Sequence, residues 1–315
     1  MKINLLLLLI FLAGCGDFSE LHLLFSHNPV SDSLTIFSKN FISSENQEHS
    51  SLTFSPDGKE IFWSRWQLPH DLEKYPQIIK YTKFSDGKWS DIATAPFSGQ
   101  WRDGGPAFSP DGERIYFYSR RPKDKTSQEM SDNDIWYVER TKQGWNEAKV
   151  LGNEINTTFV EAAPCLSNNG NLYFSSNRNQ YPGSTGNPDI FISEFIDGKF
   201  TKAKALGKLI NTPIARESYP YISPDENYLI FSRDSRRIEN GKCIDGDRKL
   251  MISFKNDQGR FQEPIELGDE FLNARFPSQS PDGEYLFCTK YTEGNDENYY
   301  WIKTDFIKRL KERTK

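Results

Sequence analysis

Phe54-Ser55-Pro56-Asp57-Gly58 returns as Phe108-Ser109-Pro110-Asp111-Gly112. It recurs with variation as Leu166-Ser167-Asn168-Asn169-Gly170, Ile222-Ser223-Pro224-Asp225-Glu226 and Gln279-Ser280-Pro281-Asp282-Gly283. The starts at 54, 108, 166, 222 and 279 set a period of 54 to 58 residues. The phrase is a turn: Pro fixes φ at its second position, Asp bonds back to nearby backbone, and Gly accepts a positive φ. An aromatic strand follows each copy and ends in a hydroxyl or amide residue and a base. These are Ile61 to Arg65, Ile115 to Arg120, Leu172 to Arg178, Leu229 to Arg233 and Leu286 to Lys290. A third strand comes after a loop of variable length, at Ile78-Ile79, Asp134-Ile135-Trp136, Asp189-Ile190-Phe191, Leu250-Met251-Ile252 and Tyr300-Trp301-Ile302. A glycine turn such as Gly87-Lys88-Trp89 or Gly198-Lys199-Phe200 then leads to a fourth.

Four short antiparallel strands per unit, with no helical periodicity, describe a propeller blade. A lone blade leaves both faces bare, so blades must stack around an axis. The fold class is therefore all-β, a five-bladed β-propeller of four-stranded blades, with six blades as the alternative. The fifth unit stops soon after its third strand. Leu34-Thr35-Ile36-Phe37 resembles the end of a unit and is expected to supply the missing outer strand and close the ring, which removes exposed sheet edges. The expected division is a leader over 1–14, a tether over 15–30, the propeller over 31–305 and a basic tail over 306–315, the tail also being read as a short helix.

Composition fits this class. Aromatic residues make up 14% of 315 and hydrophobic residues only 36%, which suits short aromatic strands better than long apolar helices. The net charge of -5 is spread along the chain, so nucleic acid is not expected as a partner. Met1-Lys2 followed by the apolar run Leu5 to Leu12 and by Ala13-Gly14-Cys15 reads as a secretory leader, too short to span a bilayer. Leu12-Ala13-Gly14-Cys15 resembles the bacterial lipobox, which implies diacylglycerol on the Cys15 thiol. The expectation is a cell-envelope protein on the periplasmic side or cell surface, held to a membrane through that lipid. Cys165, Cys243 and Cys288 remain, without a regular spacing, and Cys165 and Cys288 are expected as buried thiols.

The Ser-Pro-Asp-Gly turn paired with the Phe-x-Ser-x-Arg strand resembles the WD40-like repeat of the TolB propeller family over residues 48–302. That resemblance implies a β-propeller in the envelope that binds other proteins. TolB itself has six blades and an additional N-terminal domain, for which this chain has no room. Propellers attached to serine peptidases belong to the same superfamily, but Gly-x-Ser-x-Gly is absent here.

In a four-stranded meander alternate connections fall on opposite faces. The short Ser-Pro-Asp-Gly turns share one face. The other carries the long, dissimilar loops Trp66 to Gln77, Arg121 to Asn133, Asn179 to Pro188, Asp234 to Gly246 and Tyr291 to Asn298, where a binding surface is expected. Near the axis of that face the sequence places Asp103, Glu161 and Glu217, and the bases Arg65, Arg120, Arg178, Arg233 and Lys290. These charges read either as a binding funnel or as Arg–carboxylate pairs within the scaffold, joined by Asp134 and Asp189. Trp66, Trp101, Tyr181 and Tyr219 stand beside the loops, for stacking on a ligand or packing between blades. The function expected is a protein-binding or scaffold module engaging an envelope protein or a peptidoglycan-associated partner. The alternative is a glycan-binding or glycan-hydrolysing propeller using Asp103, Glu161 and Glu217. The four histidines lie in the first quarter of the chain, and no zinc spacing occurs, so no metal or other cofactor is expected.

Overall fold

The computed structural model describes residues 32–44, 50–66, 77–124, 126–127, 129–178, 187–213, 215–239, 242–291 and 297–313. Five antiparallel sheets form five propeller blades. Blade one contains Thr53–Phe54, Glu60–Arg65 and Ile78–Ser85, with Ala93–Thr94 outermost. Blade two contains Asp103–Phe108, Arg114–Ser119, Asp134–Thr141 and Lys149–Val150. Blade three contains Glu161–Leu166, Leu172–Ser176, Asp189–Ser193 and Lys204–Ala205. Blade four contains Arg216–Ile222, Tyr228–Glu239, Lys242–Phe254 and Ile265–Glu266. Blade five has three strands from the end of the chain, Arg275–Gln279, Tyr285–Tyr291 and Glu297–Lys303. Its fourth is Thr35–Ile36, with Thr35 opposite Trp301 and Ile36 opposite Tyr300. The first and last parts of the chain thus close the ring in one sheet.

The repeated turns act as their residues dictate. In the first, Ser55 Oγ donates to Asp57 Oδ1 at 2.5 Å, the same oxygen accepts from Lys59 N–H at 3.1 Å, and Gly58 takes φ 71°. In the fourth, Glu226 stands where the others have Gly and still adopts φ 58°. Its carboxylate accepts from Ser167 Oγ and Asn171 Nδ2 at 2.7 Å and from Tyr173 Oη at 3.1 Å, all in blade three, and from Lys255 at 2.9 Å. A strained backbone position is held there by a clamp between neighbouring blades.

The innermost strands of blades two to five carry a second repeated device. Gly105, Ala163, Tyr219 and Phe276 have φ between 51° and 58° at a break in register, and each precedes a proline. The kink turns two of these N–H groups onto hydroxyls of the preceding blade. Gly105 N–H donates to Ser50 Oγ and Ser64 Oγ at 2.9 and 3.1 Å, and Tyr219 N–H donates to Ser175 Oγ at 2.9 Å. Bulges re-aim side chains, and here they bend the strands that wall the axis.

The core lies between blades. Tyr173 and Ile190 of blade three pack with Leu229, Phe231 and Met251 of blade four. Ile230, Leu250 and Ile252 of blade four pack with Leu286, Cys288 and Ile302 of blade five. Each fully buried aliphatic or aromatic side chain contributes about 1.5–3 kcal/mol. Residues 305–313 form the helix Asp305–Arg313, which docks on the fourth and fifth blades through buried Ile307 and through Phe306, 5.7 Å from Phe271, while Lys308, Arg309, Lys311 and Arg313 stay exposed. Among the described residues no helix is long and apolar enough to cross a membrane. Cys165 and Cys288 are free thiols, raised by burial to about 11 and about 12.

One expected loop is a strand pair. Residues 234–239 and 242–246 continue the second and third strands of blade four, with Asp234 opposite Arg248 and Glu239 opposite Lys242. The signal for this was Asn240-Gly241, a dipeptide suited to two-residue hairpin turns. The turn itself lies outside the described residues.

Candidate functional site

The long-loop face opens into a cavity of about 490 Å³ on the axis. Its walls are the heads of the innermost strands and their neighbours: Arg102 and Tyr118 of blade two, Val160, Ala162, Ser175 and Ser176 of blade three, and Arg216, Ser218, Tyr219, Asp234 and Arg248 of blade four, with Asn133, Asn177, Asn187, Pro188 and Phe276 between. The rings of Tyr219 and Phe276 meet at 3.9 Å and form an aromatic wall. Tyr118 Oη donates to Gln77 Oε1 at 2.9 Å. Its ring packs so closely over Gly104 that a Cβ there would lie 2.4 Å from Tyr118 Oη and 2.7 Å from Gln77 Oε1. Glycine at 104 is thus a packing requirement of this wall.

The acids singled out in the sequence do not face this cavity as free groups. Asp103, Glu161 and Glu217 are each 0% exposed. Asp103 accepts from Ser98 and Ser119 hydroxyls at 2.8 and 2.6 Å and from Arg121 Nη2 at 2.7 Å. Glu161 accepts from Thr157 and Ser176 hydroxyls at 2.7 and 2.9 Å and from Arg178 Nη2 at 2.9 Å. Glu217 accepts from Thr212 Oγ1 at 2.8 Å and Arg233 Nε at 2.9 Å. Burial pushes the Asp103 and Glu217 carboxyls upward, against the opposing pull of these partners. Each arginine also lies over aromatic rings, Arg121 over Phe117, Arg178 over Phe191 and Arg233 over Phe231 at 5.0, 4.6 and 5.4 Å. The repeated charges are rivets of the scaffold, as buried Arg–carboxylate pairs satisfied by further hydrogen bonds can be.

The remaining candidates disperse. Arg120 does not pair with Asp103. Asp103 lies opposite Ser119, so along an alternating strand Arg121 shares its side and Arg120 points away, its Nε donating to Ser131 O at 2.8 Å. Arg65 donates to Ile42 O at 3.0 Å, and Lys290 to Glu270 O at 2.8 Å. In blade five the pair is reversed: Arg275 holds the innermost position and bonds Glu297 at 2.8 Å. Trp66 is buried beneath the Arg102 guanidinium, 4.7 Å from it. Trp101 lines a separate groove with Phe97, Trp136 and Trp145. Tyr219 alone among the predicted aromatics walls the axial cavity, and Tyr181 and Cys15 lie outside the described residues.

Sequence reasoning missed the residues that do wall the cavity, and they flank those it chose. Arg102 precedes Asp103, Val160 and Ala162 bracket Glu161, and Arg216 and Ser218 bracket Glu217. Side chains alternate along a strand, so when the acids turn inward their neighbours reach the opening. Among the lining residues Asp234 is the one carboxylate, held by two bonds from Arg248, at 2.5 and 2.7 Å. Arg102, Arg216 and Arg248 therefore leave the wall net positive. Among the described residues no group of three or more His, Cys, Asp or Glu is placed to hold a metal ion.

Solved structures share this architecture at low identity. Over 92% of the chain and 93% of the other protein, it superposes with MPT-4, a mannose phosphorylase from Leishmania mexicana solved with phosphate ion, at TM-score 0.51 and 12% identity. The putative TolB from Agrobacterium tumefaciens aligns over 81% of the chain and 89% of its own length, at TM-score 0.40 and 16% identity. The Bacillus subtilis arabinanase Arb43A aligns over 85% and 97%, at TM-score 0.48 and 11% identity. The fold is a five-bladed β-propeller, and at these identities the likeness is one of fold alone. Neither a family model nor a curated protein matches the sequence.

Proposed function

We propose that this chain is an envelope lipoprotein, anchored through Cys15, whose propeller binds the polar end of a partner molecule in the axial cavity of its long-loop face. The observation that supports binding over hydrolysis is the state of the acids. Asp103, Glu161 and Glu217 are each closed by an arginine and hydroxyl donors. A glycosidase needs one carboxyl free to give a proton and another free to attack or to activate water. The cavity instead offers amides, hydroxyls, arginines and an aromatic wall, groups that orient a ligand by hydrogen bonds.

Site-specific photocrosslinking in intact envelopes tests the reading. A crosslinker at Asn177, on the cavity wall, is expected to capture a discrete envelope protein or peptidoglycan-linked partner, and one at Asp282, on the turn face, is expected not to. Equal capture from both positions would count against the axial site. Turnover of a glycan by the wild type that is lost in Glu217→Gln would favour the hydrolytic alternative.

A further inference from the structure

Most arginines around the axis are spoken for. Arg121, Arg178, Arg233, Arg248 and Arg275 each bond a carboxylate at 2.5 to 2.9 Å. Arg102 differs. Among the described residues no carboxylate pairs with it, and its Nε is buried with no hydrogen-bond partner. The guanidinium lies half-buried in the cavity wall, its carbon 4.7 Å from the centroid of the Trp66 ring. Asn133 Oδ1, in the same wall, is also buried and without a partner. A partly desolvated guanidinium with an unused donor is costly unless something completes its hydrogen bonds. The surrounding charge points the same way, because Tyr118 and Tyr219 are neutral phenols and Arg120 adds a second positive charge nearby.

We infer that Arg102 anchors an oxyanion, a carboxylate or phosphate group carried on a small polar ligand. The guanidinium fork matches either group with two parallel N–H donors, and its contact with the Trp66 ring limits its freedom in advance. The body of the ligand lies against Tyr219 and Phe276, with Asn133, Asn177 and Ser218 in reach of its hydroxyl or amide groups. A cavity of about 490 Å³ takes a ligand of one or two sugar rings or a short peptide end. This rests on the axial cavity being the binding site.

Thermal unfolding of the full-length chain in detergent, at low ionic strength, tests it with inorganic phosphate, glucuronate and glucose as probes. Phosphate or glucuronate is expected to raise Tm in a concentration-dependent way, and glucose is not. A response to glucuronate alone assigns a carboxylate ligand, and a response to phosphate alone a phosphate-bearing one. Arg102→Ala should weaken the response at least about tenfold, and Arg102→Lys, which keeps charge but loses the fork, should fall between. Lys149→Ala, on the surface, should match the wild type. No response to either anion in the wild type overturns the proposal, and so does an undiminished response in Arg102→Ala. Ser218→Trp, which fills the cavity, separates the two levels. If it abolishes the response while Arg102→Ala does not, the cavity binds but Arg102 is not the anchor. If neither variant loses it, the axial reading fails as well.

Discussion

Asp189 is the residue at which this scaffold carries an unrelieved charge. It is 4% exposed, and among the described residues no cation pairs with it. Burial and the nearby charge of Glu217 push its carboxyl up to about 6. The folded state therefore takes up a proton below about pH 6, and the unfolded chain only near pH 4, so this group weakens folding at neutral pH and stops doing so as pH falls. Asp189→Asn is expected to add about 1–2 kcal/mol at pH 7, less than the full shift implies because relaxation and solvent screening reduce it, with the gain fading between pH 6 and pH 4. Urea unfolding at pH 7 and at pH 4 checks it, and an equal gain at both would discard the explanation. The opposite case is Arg178, whose loss would strand Glu161 without a cation. Arg178→Met should cost about 3–5 kcal/mol, with much of it recovered in the double variant Glu161→Leu, Arg178→Met, read from the same denaturation curves. These pairs were half legible beforehand. The acids and bases were visible as repeating types, but Arg120 was chosen over Arg121, and Asp103 over Arg102. Composition shows that a charge recurs; only the register Asp103 opposite Ser119 shows which side it takes.

Among the elements, the turns and the closing strand carry the most testable physics. Glu226 occupies a left-handed position that Gly fills in the other turns, so Glu226→Gly would relieve about 1 kcal/mol of backbone strain. It would also remove bonds to Ser167, Asn171, Tyr173 and Lys255, at about 1–3 kcal/mol for each charge-assisted contact. Loss of contacts should win, giving a net destabilisation of about 3 kcal/mol or more. A stabilised variant in thermal unfolding would refute the clamp between blades. The outer strand of blade five was legible because Leu34 to Phe37 matches the ends of complete units. Phe37 follows it and is 0% exposed, 4.9 Å from Phe287 and 5.6 Å from Trp301. Phe37→Ala should cost about 3–5 kcal/mol, and because it loosens ring closure the calorimetric transition should broaden as well as shift. The long hairpin of blade four was not legible at the level of the repeat. A repeat pattern reports what the units share, and this extension belongs to one unit alone.

For the molecule as a whole, strand direction decides which way the cavity faces. The innermost strand of blade five runs from the long-loop face to the Ser280 turn, the second returns, and the third descends again to Thr304, whose Oγ1 donates to Gly283 O at 2.7 Å. Thr35–Ile36 is antiparallel to that third strand, so it climbs from the turn face toward the loop face. The N-terminal end of that strand, Thr35, therefore lies on the side of the turns, away from the axial cavity. If Cys15 carries the lipid, the membrane attaches on that side, and the cavity is presented outward to whatever the envelope brings to it. The segment between Cys15 and Leu34 can reach at most about 65 Å when extended, so the preference is a time average and not a fixed pose. For the lipidated chain in vesicles, energy transfer to headgroup acceptors should be higher from a donor placed at Asp282 than from one at Ser218. Equal transfer would mean that the tether randomises the propeller, and a stronger signal from Ser218 would mean that the cavity faces the bilayer, where only a lipid headgroup could fill it.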